Sequence, residues 1–429
     1  MRFFFIFVIL VTHIFASNTP FDIYKKETNP QQHTLLIIGG IHGDEPGGYF
    51  APAFLEKYYK ITSGNLWIIP NLNVDSIMAN NRGIYGDMNR KFSSIDKNDK
   101  DILTVNRIKE IMLEKNVHLI LNLHDGFGFY RDVYEDNVFN PNSWGQATII
   151  DQEKIDDKFG NLDEIANQVK TNLNKDGLFE NYHAFNVKNT NTKQKDEQMR
   201  QSLTYFAVTH NKPAFAIETS KNITDLTYKV IYQLKSIEEF MNIMNIEFER
   251  EFDINNYEDV KSKVYDFGKV TINNNISFDL SDIKNSVKFV PLKKENNKFD
   301  FSHTLGKVKF IDNKYEIYIG NIKVCDLSPQ IFEMMEPQNK IKMIVDEKEI
   351  ETSFANEIDI KNDFKILKSE LRANIIGFSK NGVDSEDDIL IKKDDIQDIY
   401  SLDTNKSKYR AEFYKDGKFI GMIVLNFIK

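Results

Sequence analysis

The 429-residue chain has a single cysteine, Cys325, which excludes an intrachain disulfide, a CxxC redox pair and a cysteine-rich zinc ribbon. Any metal site must therefore draw on histidine and carboxylates. Basic excess is missing too: 55 Lys and Arg stand against 64 Asp and Glu, a formal charge of -9, so the chain has no bulk attraction for nucleic acid or an anionic membrane surface. Nucleic acid is not an expected partner. The mostly apolar run from Phe3 to Phe15 is too short to span a bilayer; with Arg2 before it and Ala16 and Ser17 after it, it has the layout of a secretory signal peptide. Residues 1–17 are expected to be cleaved, leaving an exported chain with no stable membrane insertion and, since no cysteine follows the run, no lipid anchor. Repeats and low-complexity tracts are also lacking. With 41% hydrophobic and 28% charged residues, the composition is globular and leaves room for two or three domains.

From about residue 18 to 247, short apolar runs alternate with longer amphipathic ones, the pattern of an α/β domain with a mixed, largely parallel central sheet. Leu35–Ile38, Leu66–Ile69, Leu119–Leu123 and Ala214–Ile217 are nearly continuous in apolar residues, as strands buried on both faces should be. Pro46 suits the first turn of a helix that turns Tyr49, Phe50, Phe54 and Leu55 inward. Further helices are predicted over Ile102–Leu113 and Ile231–Ile246. Beyond Glu251 the pattern becomes short and alternating, an all-β signature. Strands are predicted at Val308–Phe310 and Tyr315–Ile319, with another set from Ile341. The last hairpin alternates Tyr409, Ala411 and Phe413 before Asp416-Gly417 and Phe419 to Phe427 after it. Domains are therefore expected at 18–247, 248–340 and 341–429, the last cut resting on Pro337-Gln338-Asn339.

His42 and Glu45 follow the first buried run within Gly39-Gly40-Ile41-His42-Gly43-Asp44-Glu45-Pro46, and an i, i+3 pair in such a turn can direct both side chains at one ion. His124 directly follows the Leu119 run, and Glu218 directly follows the Ala214 run. Ligands bind outside the carboxyl ends of strands in open α/β sheets, where all of these residues lie. Two His and one Glu match a catalytic zinc site with a fourth position open, and they leave Glu218 as the general base. Downstream of the second run, in a chain that uses Lys far more than Arg, stand Arg82 and Arg90. Asn89 with Arg90 can clamp a terminal carboxylate, and Arg82 can stabilise an oxyanion.

In order and context, His42, Glu45, Arg82, Asn89, Arg90, His124 and Glu218 resemble the zinc carboxypeptidases of the carboxypeptidase A superfamily. The chain is still more similar to the cell-shape D,L-carboxypeptidases of the Campylobacter and Helicobacter type, which are exported and carry two extra β domains. That resemblance implies one zinc ion per chain, a periplasmic location, and removal of the terminal meso-diaminopimelate from peptidoglycan tripeptides to leave dipeptides. It also implies a barrel-like domain followed by an immunoglobulin-like one. Trp144 and Thr204 fall where that subfamily contacts the diaminopimelate side chain, and Asp125, adjacent to His124, is expected to meet its amino group. Muropeptides are the expected substrates, and the β domains are expected to offer surfaces for protein partners.

Two other readings share some of these features. A deacylase similar to succinylglutamate desuccinylase uses the same zinc framework, but the exported leader and the long β half count against it. A non-catalytic wall-binding protein has no use for a carboxylate at position 218. His33, His118, His183, His210 and His303 lack ligand spacing and are given no role, and Cys325 reads as a small buried residue in a strand.

Overall fold

The computed structural model describes residues 20–336 and 340–428. The expected signal segment 1–17 and the Pro337-Gln338-Asn339 cut lie outside the described residues. The chain divides into two compact units, Met1–Val264 and Tyr265–Lys429.

In the first unit we number, in chain order, β1 (Tyr24–Glu27), β2 (Thr34–Ile38), α1 (Pro46–Tyr58), β3 (Asn65–Ile69), α2 (Ile102–Met112), β4 (Val117–Gly126), β5 (Ala147–Ile150), β6 (Asn186–Asn189), α3 (Leu203–Thr209), β7 (Ala214–Ser220), α4 (Leu226–Ile243) and α5 (Tyr257–Val264). The strands form one seven-stranded sheet in the order β1-β3-β2-β4-β7-β5-β6. β2, β3, β4 and β7 run parallel at its centre, while β1 and β5 join antiparallel. All four apolar runs singled out in the sequence are buried central strands.

After β2 the chain adds β3 on one side and then crosses back to add β4 on the other. This reversal separates the segments leaving β2 and β4 and opens a crevice at the carboxyl ends of the strands. α1 starts there with Pro46 in its first turn and buries Tyr49, Phe50, Phe54 and Leu55 as expected. Gly48 lets it lie close to β4, since a Cβ at that position would stand 2.6 Å from the Leu123 carbonyl oxygen. The unit continues past the boundary expected at 247: Glu247–Arg250 pairs with Tyr59–Ser63, and α5 follows. Among the described residues no helix is long and apolar enough to cross a membrane.

The second unit is all β. Its first part holds a three-stranded and a four-stranded sheet, with the Val308 and Tyr315 strands forming a hairpin around Asp312-Asn313. Residues Ile341–Phe427 form two four-stranded sheets that share one core, Met343, Phe364, Ile375, Tyr409, Phe413, Ile423 and Leu425 among its members. The final hairpin, Lys408–Lys415 with Lys418–Phe427, turns at Asp416-Gly417 as its alternation predicts. The division expected at 340 separates sheets but not compact units. Backbone bonds cross it, from Lys284 N to Leu402 O at 2.8 Å and from Met422 N to Asn275 O at 2.9 Å.

Candidate metal centre and active site

Two neighbouring strands supply the ligand residues at their carboxyl ends. His42 lies in the turn after β2, Glu45 is the residue before the first turn of α1, and His124 lies in β4. Glu45 stands between the two imidazoles, its Oε1 3.0 Å from His42 Nδ1 and its Oε2 2.8 Å from His124 Nδ1. All three are buried, and each offers a ligand atom within 4.8 Å of the others. On its other side His42 directs Nε2 at Asp87 Oδ1, 2.8 Å away. A carboxylate there favours the tautomer with the proton on Nε2, which turns the Nδ1 lone pair toward the Glu45 oxygens. Facing lone pairs call for a positive species between them, and the donor set of two imidazoles and one carboxylate suits a transition-row cation.

The three groups compensate one another's charge: burial lowers the basicity of His42, but Glu45 and the bond to Asp87 outweigh it and raise it overall. Burial by itself pushes the Glu45 carboxyl up, but the charges of His42 and His124 and their hydrogen bonds overcome it and hold it well below the usual carboxylate range. For His124, burial is the largest effect and lowers its basicity despite Glu45, favouring the neutral ring that a metal needs. Arg82 closes one side of the cluster, with one N–H to Glu45 Oε1 and another to Asp87 Oδ2, each at 3.0 Å.

Parallel pairing sets Glu218 of β7 directly beside His124 of β4. Burial, then the like charges of Glu45 and Asp125, push the Glu218 carboxyl well above its ordinary range. A carboxylate that is costly to ionise beside a cation site is suited to accept a proton and pass it on. Gly126 makes this packing possible, since a Cβ there would meet Trp144 Cβ at 2.5 Å and Glu218 Oε2 at 2.9 Å. Trp144 thus stands close to Glu218, half-buried, with the Lys188 ammonium 4.1 Å from its ring centroid.

Asn89 and Arg90 lie in a short turn capped by Asp87, whose Oδ1 accepts from Asn89 N at 2.9 Å. Asn89 Oδ1 accepts from Leu203 N at 2.9 Å, which leaves its Nδ2 to donate. Arg90 donates to the Asn89 carbonyl at 3.0 Å.

Two expectations are corrected. Asp125 does not face a ligand: its fully buried carboxylate accepts from Lys229 Nζ at 2.9 Å, from Gly47 N at 3.0 Å and from the Thr219 hydroxyl. It anchors α1 and α4 to the sheet behind the ligand residues. Thr204 is also buried, its hydroxyl 3.2 Å from Ser202 Oγ and hydrogen-bonded to Asp151, so it is engaged within the fold. Sequence reasoning missed Asp87, although it stands inside the Arg82–Arg90 segment two residues before Asn89. It also missed Lys221, which pairs with Asp44 at 2.6 Å beside Glu45.

Residues 3–262 match the family model described as the catalytic part of the carboxypeptidases controlling helical cell shape, and residues 334–428 match that of a C-terminal domain of metallo-carboxypeptidases. Among solved structures, the tripeptide-bound cell-shape determinant Csd4 from Helicobacter pylori is 33% identical, with 95% of this chain and 100% of that chain covered and a TM-score of 0.88. The mDAP-bound form of Csd4, described as a D,L-carboxypeptidase, is 34% identical over 94% of this chain and 100% of that chain, also with a TM-score of 0.88. No curated protein matches significantly.

Proposed function

The chain belongs to the metallo-carboxypeptidases controlling helical cell shape, and from that premise we propose that it is a D,L-carboxypeptidase that removes the terminal meso-diaminopimelate from peptidoglycan tripeptides, with one zinc ion per chain, in the periplasm. The observation that carries this reading is the convergence of His42 Nδ1, Glu45 and His124 Nδ1, with Glu218 one strand away.

His42, Glu45 and His124 would hold the ion, and the chemistry a zinc ion would supply there is Lewis acidity toward the scissile carbonyl and water. Glu218 takes the proton of the attacking water and returns it to the leaving amine. Arg82, tethered to Glu45 and Asp87, is the cation beside the developing oxyanion. Asn89 Nδ2 and the Arg90 guanidinium clasp the terminal carboxylate, and Trp144 flanks the side chain of the departing residue. The deacylase alternative uses the same ligands, but the match runs through the β unit as well, which supports the wall substrate.

The test is incubation of the purified protein with the peptidoglycan tripeptide, with and without a chelator, followed by mass analysis. Chelator-sensitive release of diaminopimelate and dipeptide is expected. An intact tripeptide in the presence of stoichiometric zinc refutes the assignment.

A further inference from the structure

Most cations around the site are already neutralised. Arg82 pairs with Glu45 and Asp87, Lys221 with Asp44, and Lys229 with Asp125. Arg90 and Lys188 pair with no carboxylate among the described residues. Arg90 is accounted for by the terminal carboxylate of the substrate. Lys188 is not.

Lys188 lies on β6, opposite Ile149 of β5, and β5 pairs Ala147 with Glu218. Its ammonium donates to the carbonyls of Pro141 at 3.0 Å and Ser143 at 2.9 Å and stands over two rings, 4.1 Å from Trp144 and 5.1 Å from Tyr130. An ammonium has three N–H donors. Two are engaged by carbonyls, and among the described residues no protein nitrogen or oxygen accepts the third, which has only the Trp144 ring face beside it. Burial lowers the pKa of Lys188 to about 8, even though the charges of Glu218 and Asp196 favour its protonated form. A half-desolvated cation held still by two carbonyls, one indole away from the general base, is built to receive an anion.

Diaminopimelate carries two carboxylates, one at each end of its chain. We propose that Lys188 is a specificity-determining residue, and that its third N–H takes the carboxylate at the far end of the diaminopimelate side chain. This rests on the tripeptide reading given above. Lysine has the same chain and amine without that carboxylate, so a lysine-terminated tripeptide leaves the Lys188 ammonium dry and unpaired.

The experiment compares kcat/KM on diaminopimelate- and lysine-terminated tripeptides for the wild type, Lys188→Met and Lys188→Arg. The wild type should prefer diaminopimelate by about 10- to 100-fold, the range of a charge-assisted hydrogen bond. Lys188→Met should lose that preference through KM, with the lysine substrate changed by less than about threefold, and Lys188→Arg should keep part of it. Equal loss on both substrates, or no preference in the wild type, overturns the proposal. A second measurement needs no catalysis. Free meso-diaminopimelate, but not lysine, should change the fluorescence of Trp144, assigned by its loss in Trp144→Phe, since Trp67 is the only other tryptophan. Equal responses to the two amino acids also overturn the proposal. A wild type that cleaves neither tripeptide counts against the proposed function, and the titration repeated on Lys188→Met, which should abolish the difference between the two amino acids, still decides the role of Lys188.

Discussion

At the scale of single residues, the site separates into groups that hold the ion, groups that orient those, and one that moves protons. Glu218→Gln keeps the shape and removes the proton acceptor, so kcat should fall by about 10²- to 10⁴-fold with metal content unchanged. Steady-state kinetics beside metal analysis checks both halves of that statement. Asp87→Asn acts one step further out, on the Nε2 side of His42. Its expected effect is a loss of about 10- to 100-fold in metal affinity, measured by competition with a chromophoric chelator. Asp151 gives a pH signature away from the metal. Burial raises its pKa from the usual 3.8 to about 6, against hydrogen bonds from Thr192 and Thr204. The folded state therefore holds the proton more tightly than the unfolded chain, and the stability linked to this group is greatest below pH 4 and is lost as pH rises to about 6. Relative to Asp151→Asn, the wild type should lose about 2–3 kcal/mol between pH 4 and pH 7.5. Urea unfolding of both proteins at the two pH values measures the difference, and a pH-independent gap contradicts it.

At the scale of elements, the register of β4 and β7 and the close approach of α1 put the catalytic groups together. Gly48→Val drives a side chain into the Leu123 carbonyl and adds a β-branched residue to a helix, so a loss of at least about 2 kcal/mol in unfolding free energy is expected. The strands that position the site were legible because burial on both faces leaves an unbroken apolar run, and His124 and Glu218 were legible because each directly follows one. The bond from Asp87 to His42 spans 45 residues, and nothing in local pattern tells which loop faces which. Asp125 and Thr204 were misread for the same reason: Lys229 and Asp151 reach them only after α4 and β5 are in place. Lys188 left no trace in the sequence, because its burial depends on a loop that folds over it. The end of the catalytic unit was placed too early because Glu247–Arg250 finds its partner strand nearly two hundred residues back in the chain.

At the scale of the whole molecule, every catalytic and ligand residue named lies in the first compact unit, and none in Tyr265–Lys429. A chain ending at Val264 should therefore bind metal and cleave free tripeptide at a rate within about tenfold of the full chain. Loss of metal binding in that truncated chain, with its fold intact by circular dichroism, contradicts a self-contained site. The most direct measurement uses the full-length protein: diaminopimelate released from the tripeptide and bound metal are quantified in the same samples of wild type and Glu218→Gln. One equivalent of metal in both, with release by the wild type alone, is the expected result. Equal release by both proteins, or release by a wild type that holds no metal, contradicts a metallo-carboxypeptidase site built on His42, Glu45, His124 and Glu218.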